Sequence, residues 1–296
     1  MNIGLALGSG SSRGWSHIGI INALADIGVV PDVVCGTSIG ALVGASYLSN
    51  NLVKLEKWAC SLTKFEMARF FDINSSLNGF IDTDRFHHFL NDYVASDSDL
   101  IEDYDKRYAA VATELKTGRE IWLTEGSIIQ AVWSSISLPG LFPAIQNNDR
   151  WLVDGGLVNP VPVSACRALG ADIVIAVNLN GDIIGKHFDK QKVTTKQYTG
   201  VVGKITDLVK EYTGMVFTDN NDHAPSLYEA MASAFNITQD RITRSRMAGD
   251  PPDILLSPKL SHIGLLEMYR AREAIDEGHH CVQKMVSEIN QVLKKK

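Results

Sequence analysis

The pentapeptide Gly36-Thr37-Ser38-Ile39-Gly40 is the chain's clearest source of a nucleophile. It stands between a short β-branched run and a helical pattern. A serine on a sharp strand-to-helix turn holds its Oγ exposed beside the first N–H groups of the helix. The flanking glycines allow a turn that a side chain would obstruct. The same residues also read as a glycine-rich turn with a serine N-cap.

A second glycine-rich stretch, Gly8-Ser9-Gly10-Ser11-Ser12-Arg13-Gly14, follows the first apolar run. Such a loop can present backbone N–H groups to an anion. A dinucleotide fingerprint needs glycine where Arg13 stands and an acidic residue where the second strand ends in Cys35-Gly36. A Walker loop needs Lys and then Ser or Thr after its last glycine, but Gly14 is followed by Trp15-Ser16. Two readings remain: an oxyanion hole for a carbonyl attacked by Ser38, or an ordinary strand-to-helix turn.

The third signal is Asp154-Gly155-Gly156. Asp-Gly between apolar residues is a common hairpin turn, and turn chemistry alone explains it. A serine hydroxyl still needs a proton acceptor. The histidines are His17, His87, His88, His187, His223, His262, His279 and His280. The last four follow the serine in the order of an α/β-hydrolase triad, so order leaves a triad open. Position weighs against it, because that fold places several strands before its elbow and only about two fit before Ser38. Each histidine reads as a surface or partly buried side chain.

These residues need a scaffold. Residues 3–7 and 29–35 are short apolar runs that predict buried strands, and 14–27 and 38–48 carry helical spacing. Strand, loop, helix, strand, turn, helix is the order of a parallel sheet covered by helices. Further helices are expected at 52–62, 84–93, 127–135 and 163–169, and strands at 106–113, 120–123, 151–153 and 172–179. Residues 180–197 are polar and aperiodic and read as an exposed loop. Helical patterns return at 201–217 and 227–247, a last strand is expected at 254–256, and a long helix at 265–293.

Composition bounds the function. The chain has 296 residues, 45% hydrophobic and 21% charged, enough for a substantial core. Its net charge of −6 argues against a phosphate-gripping nucleic-acid binder. Cys35, Cys60, Cys166 and Cys281 form no CxxC pair. The first basic residue is Arg13, so no secretory n-region is visible, and no apolar run is long enough to span a bilayer. A reduced cytoplasmic setting is the expectation.

Taken together, the three signals resemble the patatin-like phospholipase family. The match extends through Arg13-Gly14-Trp15-Ser16-His17-Ile18-Gly19, Ser137-Leu138-Pro139-Gly140-Leu141-Phe142-Pro143 and Asp154-Gly155-Gly156-Leu157-Val158-Asn159-Pro160-Val161-Pro162. The aspartate follows the serine by 116 residues, which also fits. The chain looks most like the compact bacterial RssA-like branch, related to the catalytic domain of neuropathy target esterase. The resemblance implies a three-layer α/β fold with a central, mainly parallel sheet flanked by helices. It also implies a Ser-Asp dyad with Ser38 as nucleophile and Asp154 as base, and no metal or cofactor. Serines stand where the family's loop usually has glycines, and their side chains are expected to narrow the oxyanion site.

The whole chain, 1–296, is expected to be one hydrolase domain. Its motifs lie in about 1–179 and a helical part occupies about 197–296. The implied reaction is hydrolysis of a lipid carboxylic ester, a phospholipid or lysophospholipid, through an acyl-enzyme. The alternatives are a regulatory protein on the same fold with little turnover, or an acyltransferase. Phe65, Met67, Phe70, Phe71, Leu77, Phe80 and Ile81 form an aromatic-rich stretch that reads as core, as an active-site cap, or as a peripheral membrane contact. The tail Lys294-Lys295-Lys296 reads as a solvated end.

Overall fold

The structure is a computed structural model, and residues 1–68, 82–182 and 227–294 are described. Among the described residues eight strands make one sheet: β1 (Ile3–Leu7), β2 (Val33–Thr37), β3 (Arg107–Glu114), β4 (Glu120–Leu123), β5 (Ile145–Asn147), β6 (Arg150–Asp154), β7 (Ile173–Val177) and β8 (Ile254–Leu256). Following hydrogen-bonded neighbours gives the order β5-β6-β3-β2-β1-β7-β8, with β4 also on β3. The central ladder from β3 through β2, β1 and β7 to β8 is parallel. β4, β5 and β6 add antiparallel pairs at one side. The helices are α1 (Ser16–Asp26), α2 (Ile39–Leu48), α3 (Leu52–Ser61), α4 (Lys64–Ala68), α5 (Thr83–Tyr93), α6 (Ile128–Ile136), α7 (Val163–Ala168), α8 (Leu227–Gly249) and α9 (Ala271–Lys294).

Alternation along the strands splits the core into two layers, because successive side chains point to opposite faces. Leu5, Leu7, Val34, Tyr108, Ile175 and Val177 face the layer built by α1, α2, α3, α5, α6 and α9. Ala6, Cys35, Ala109, Val111, Val174 and Ala176 face the other way, against Val163, Ala165 and Cys166 around α7. The result is the expected three-layer α/β arrangement.

The register on β3 explains how the site assembles. β2 pairs with Arg107 through Val111, ending at Thr37↔Val111. β6 pairs with Ala112 through Glu114, beginning at Asp154↔Ala112. β4 pairs across Ala110–Thr113 and overlaps both, so it occupies the opposite edge of β3. β2 and β6 therefore meet end to end along one edge, and residue 38 emerges beside residue 154.

Among the departures from expectation are two element starts and one strand that was not expected. β2 starts at Val33, after Pro31, which cannot donate to a ladder. β5 has three residues, too few to show alternation in sequence. The last helix begins at Ala271 instead of 265, because carbonyls it would use are taken. Gly264 and Leu265 accept from Ser12 and Ser11, and Met268 accepts from the Trp15 indole. The expected helix at 201–217, most of the loop at 180–197, Phe70, Phe71, Leu77, Phe80 and Ile81, and the last two lysines lie outside the described residues. Among the described residues no helix is long and apolar enough to cross a membrane.

Candidate active site

Ser38 sits on the β2–α2 turn with φ 57 and ψ −123, a strained backbone for a residue with a Cβ. The surroundings over-determine it. Its N–H donates to Ser135 Oγ at 2.9 Å, and Ser135 Oγ donates to the Val111 carbonyl at 2.5 Å. Its carbonyl accepts from Ala41 and Leu42 at the start of α2. Thr37 Oγ1 donates to the Asn159 carbonyl at 2.8 Å. The elbow also needs its glycines for close approach. A Cβ on Gly40 would lie 2.1 Å from the Leu7 carbonyl oxygen, and one on Gly36 would lie 2.4 Å from the backbone of Ala41.

Asp154 ends β6 with its side chain buried, at 1% exposure. Ser38 Oγ donates to its Oδ2 at 2.6 Å, and the Gly156 N–H donates to its Oδ1 at 2.7 Å. Its backbone is held by the Ser137 carbonyl, which accepts from its N–H, and by Thr113 Oγ1, which donates to its carbonyl. Burial pushes the carboxyl up to about 6, against the opposing hydrogen bonds from Ser38 and Gly156. At neutral pH it is ionised, yet a stronger base than a free carboxylate. The hairpin reading of Asp154-Gly155-Gly156 is corrected here. The chain leaves the strand into a 3-10 turn, Gly155–Leu157, and the true hairpin lies upstream between β5 and β6.

The loop from Gly8 to Gly14 runs from β1 into a 3-10 turn, Ser11–Trp15. Most of its N–H groups are engaged: Gly8 with Val177, Ser9 with Pro160, Ser12 with Leu265, Arg13 with Gly10. The N–H groups of Gly10 and Ser11 meet no acceptor among the described residues, and both residues line the cleft that holds Ser38. Ile39, first in α2, is the same on both counts. Gly14 packs against Ile39. The loop serines do not all crowd the site. Ser11 adopts a positive φ of 52, and its Oγ donates to the Leu265 carbonyl at 2.6 Å. Ser12 Oγ donates to the Gly264 carbonyl. Ser9 Oγ stays in the cleft wall, buried and without a partner among the described residues.

Two buried side chains brace this loop. His17 Nε2 donates to the Gly8 carbonyl at 2.8 Å, and burial pushes the imidazole down to about 4, so it stays neutral. Arg13 is 1% exposed and donates to the Gly10 carbonyl and to Asn236 on α8. Burial lowers it to about 10 while Asp182 opposes that shift, so it remains a cation. Among the described residues no histidine lines the cleft; His187 and His223 lie outside them.

Beyond the dyad the cleft is mainly apolar, with an aromatic cluster set among aliphatic side chains. Trp58 packs on Phe89 with ring centroids 4.2 Å apart, and Phe86 packs on Phe142 at 4.9 Å. Met67 also lines it, whereas Phe65 is 62% exposed. Of the expected site residues, the structure brings Ser9, Gly10, Ser11, Ser38, Ile39 and Asp154 into one cleft. Ser135 and Thr113 had no signal of their own in sequence, because a helical serine and a strand threonine are ordinary surface residues until their partners are known. Ser137 lay in a quoted stretch, but its carbonyl contact could not be foreseen.

Comparison with known proteins places the chain in a family. The family model described as patatin-like phospholipase matches residues 5–167. An uncharacterised NTE-family protein of Mycobacterium bovis is 28% identical, over 93% of this chain and 89% of its own. The protein named lysophospholipase NTE1 of Yarrowia lipolytica is 36% identical over 60% of this chain and 12% of its own. Its namesake in Pyricularia oryzae is 28% identical over 94% of this chain and 18% of its own. Among solved structures, VipD from Legionella pneumophila aligns over 98% of this chain and 76% of its own at a TM-score of 0.37 and 13% identity.

Proposed function

The chain belongs to the patatin-like phospholipase family, and on that premise we propose that it hydrolyses carboxylic esters of lipids through Ser38 and Asp154. The observation that carries this reading is the 2.6 Å hydrogen bond from Ser38 Oγ to a buried carboxylate at the wall of an apolar cleft. Asp154 takes the hydroxyl proton as Oγ attacks the ester carbonyl. The oxyanion that forms faces the N–H groups of Gly10 and Ser11, with the start of α2 beside it. Collapse of this intermediate expels the alcohol, which recovers the proton from Asp154 and leaves the acyl group on Ser38. Water then attacks the acyl-enzyme with Asp154 again as base, and the acid and the free serine are released. The Gly156 N–H keeps the carboxylate aimed at Ser38 throughout.

The aromatic end of the cleft suits an acyl chain, because burying each methylene there contributes roughly 0.8 kcal/mol. A phospholipid or lysophospholipid is the substrate class we favour. Phe65, exposed two residues from the cleft-lining Met67, is the proposed point of contact with a lipid surface.

The test is an ester and phospholipid panel with wild type and Ser38→Ala, alongside labelling by a fluorophosphonate. The wild type is expected to label and to turn over, and the folded Ser38→Ala variant to do neither. Full activity in that variant overturns the dyad. A wild type that neither labels nor turns over supports the regulatory alternative.

A further inference from the structure

Gln239, on α8, is a buried polar residue that the dyad does not use. It is 1% exposed and lines the same cleft as Ser38 and Asp154. Its Oε1 accepts from Asn180 Nδ2 at 2.9 Å, and that same Nδ2 donates to the Ser9 carbonyl at 3.4 Å. The Ser9 carbonyl can only accept, so it sets which way Asn180 points, and Asn180 in turn sets Gln239. The Gln239 amide nitrogen is thereby turned toward the dyad, where it meets no acceptor among the described residues. It stands over Gly156: a Cβ built there would lie 2.1 Å from Gln239 Nε2 and 2.9 Å from Asp154 Oδ1.

An N–H donor buried this thoroughly is costly to leave unpaired, and one that lines a cleft calls for an explanation. The proposed chemistry says which one. Asp154 must return its proton to the departing alcohol, so the alcohol oxygen lies within reach of that carboxylate. The acyl chain takes the aromatic end. The alcohol half of the ester therefore extends along the Gly156 side of Asp154, where Gln239 Nε2 stands.

We propose that Gln239 is a specificity-determining residue that donates a hydrogen bond to a second, neutral oxygen on the alcohol half of the ester, as a glycerol hydroxyl or glycerol ester oxygen would supply. A neutral amide suits such an acceptor better than a phosphate, which calls for a cation. This inference rests on the dyad reading above.

The test uses two esters of one medium-chain acid: the glycerol monoester, which carries extra oxygens, and the propyl ester, which carries none. The wild type is expected to favour the glycerol ester in kcat/KM by about tenfold, since a missing partner leaves a buried donor unpaired. In Gln239→Leu that preference is expected to collapse to near one. Gln239→Met keeps the length of the side chain but lacks the donor, and it serves if the leucine variant fails to fold. A preference that persists in the variants, even with both rates reduced together, marks a structural role and overturns the inference. So does a wild type that turns over both esters without preference. A wild type that hydrolyses neither ester and resists the fluorophosphonate overturns the dyad reading beneath it.

Discussion

Residues up to 182 and residues 227–294 build the same cleft by different physical means. The first region carries the residues proposed to react and places them through backbone geometry. β2 and β6 meet on one edge of β3, and short glycine turns then aim Ser38 and Asp154 at each other. The second region carries no reacting atom in the proposed mechanism. It acts through side chains and carbonyls on distant partners: Gly264 and Leu265 hold Ser12 and Ser11, Asn236 holds Arg13, and α9 packs on α1. The first region therefore sets the chemistry, and the second sets how firmly the loop and the cleft wall are held. Changes in the first region should strike rate, and changes in the second should strike stability or selectivity.

The largest expected effect is in the first region. Asp154→Asn should lower kcat/KM by about a thousandfold, the range for losing a general base. It should not destabilise the fold. The folded value of about 6 lies above the ordinary 3.8, so the ionised carboxylate opposes folding at pH 8, by roughly 3 kcal/mol. That cost is relieved as pH falls from about 6 toward 4. Thermal melts should thus show the variant at or above the wild-type Tm at pH 8, with the advantage gone near pH 4. A lower Tm at pH 8 would break the division between rate and stability. The wild-type rate should also fall about tenfold per pH unit below about 6, as Asp154 takes up a proton.

An effect of the second kind is expected from Gly278→Ala on α9. Its new Cβ would lie 2.1 Å from the Ser16 carbonyl oxygen on α1, so backbone must move. Overpacking of this sort costs about 3 kcal/mol and should appear as a lower urea midpoint. The dyad is untouched, so fluorophosphonate labelling of the folded fraction should continue. Loss of labelling in folded protein would show the two regions to be more tightly coupled than their contacts indicate.

The smallest expected effect sharpens the boundary. Ser12→Ala removes one hydrogen bond to the Gly264 carbonyl, worth about 1 kcal/mol. Steady-state kinetics should show a drop of a few-fold in kcat with little change in KM, because the loop loosens while the cleft keeps its lining. An unchanged kcat would mean that the loop's other bonds, from Ser11, Arg13, His17 and the backbone, hold it without the Ser12 hydroxyl.

Much of the first region was legible beforehand. Strand and helix runs up to residue 179 show plain apolar periodicity, and the elbow and the Asp-Gly-Gly turn are local signals. The aspartate alone was ambiguous, since turn chemistry explained it equally well until the wider resemblance assigned it a role. In the second region, β8 and the helix at 227–249 were visible, but the start of α9 was not. Apolar spacing continues through residues 265–270, while the carbonyls there are claimed by Ser11, Ser12 and Trp15, some 250 residues away in the chain. Gln239 was invisible for the same reason. A glutamine in a helix reads as a solvated residue until the opposite wall is known.

What the sequence by itself determined was the chemistry of the turns: a serine between glycines at a strand end, and an aspartate before a glycine pair. These follow from residues within a few positions of one another, because φ, ψ and local sterics decide them. Tertiary structure alone decided that Ser38 and Asp154 share a hydrogen bond, that burial lifts the carboxyl to about 6, and which loop N–H groups meet no acceptor among the described residues. Those properties depend on desolvation and on partners far apart in the chain, which meet only when the sheet and its two helical layers close around them.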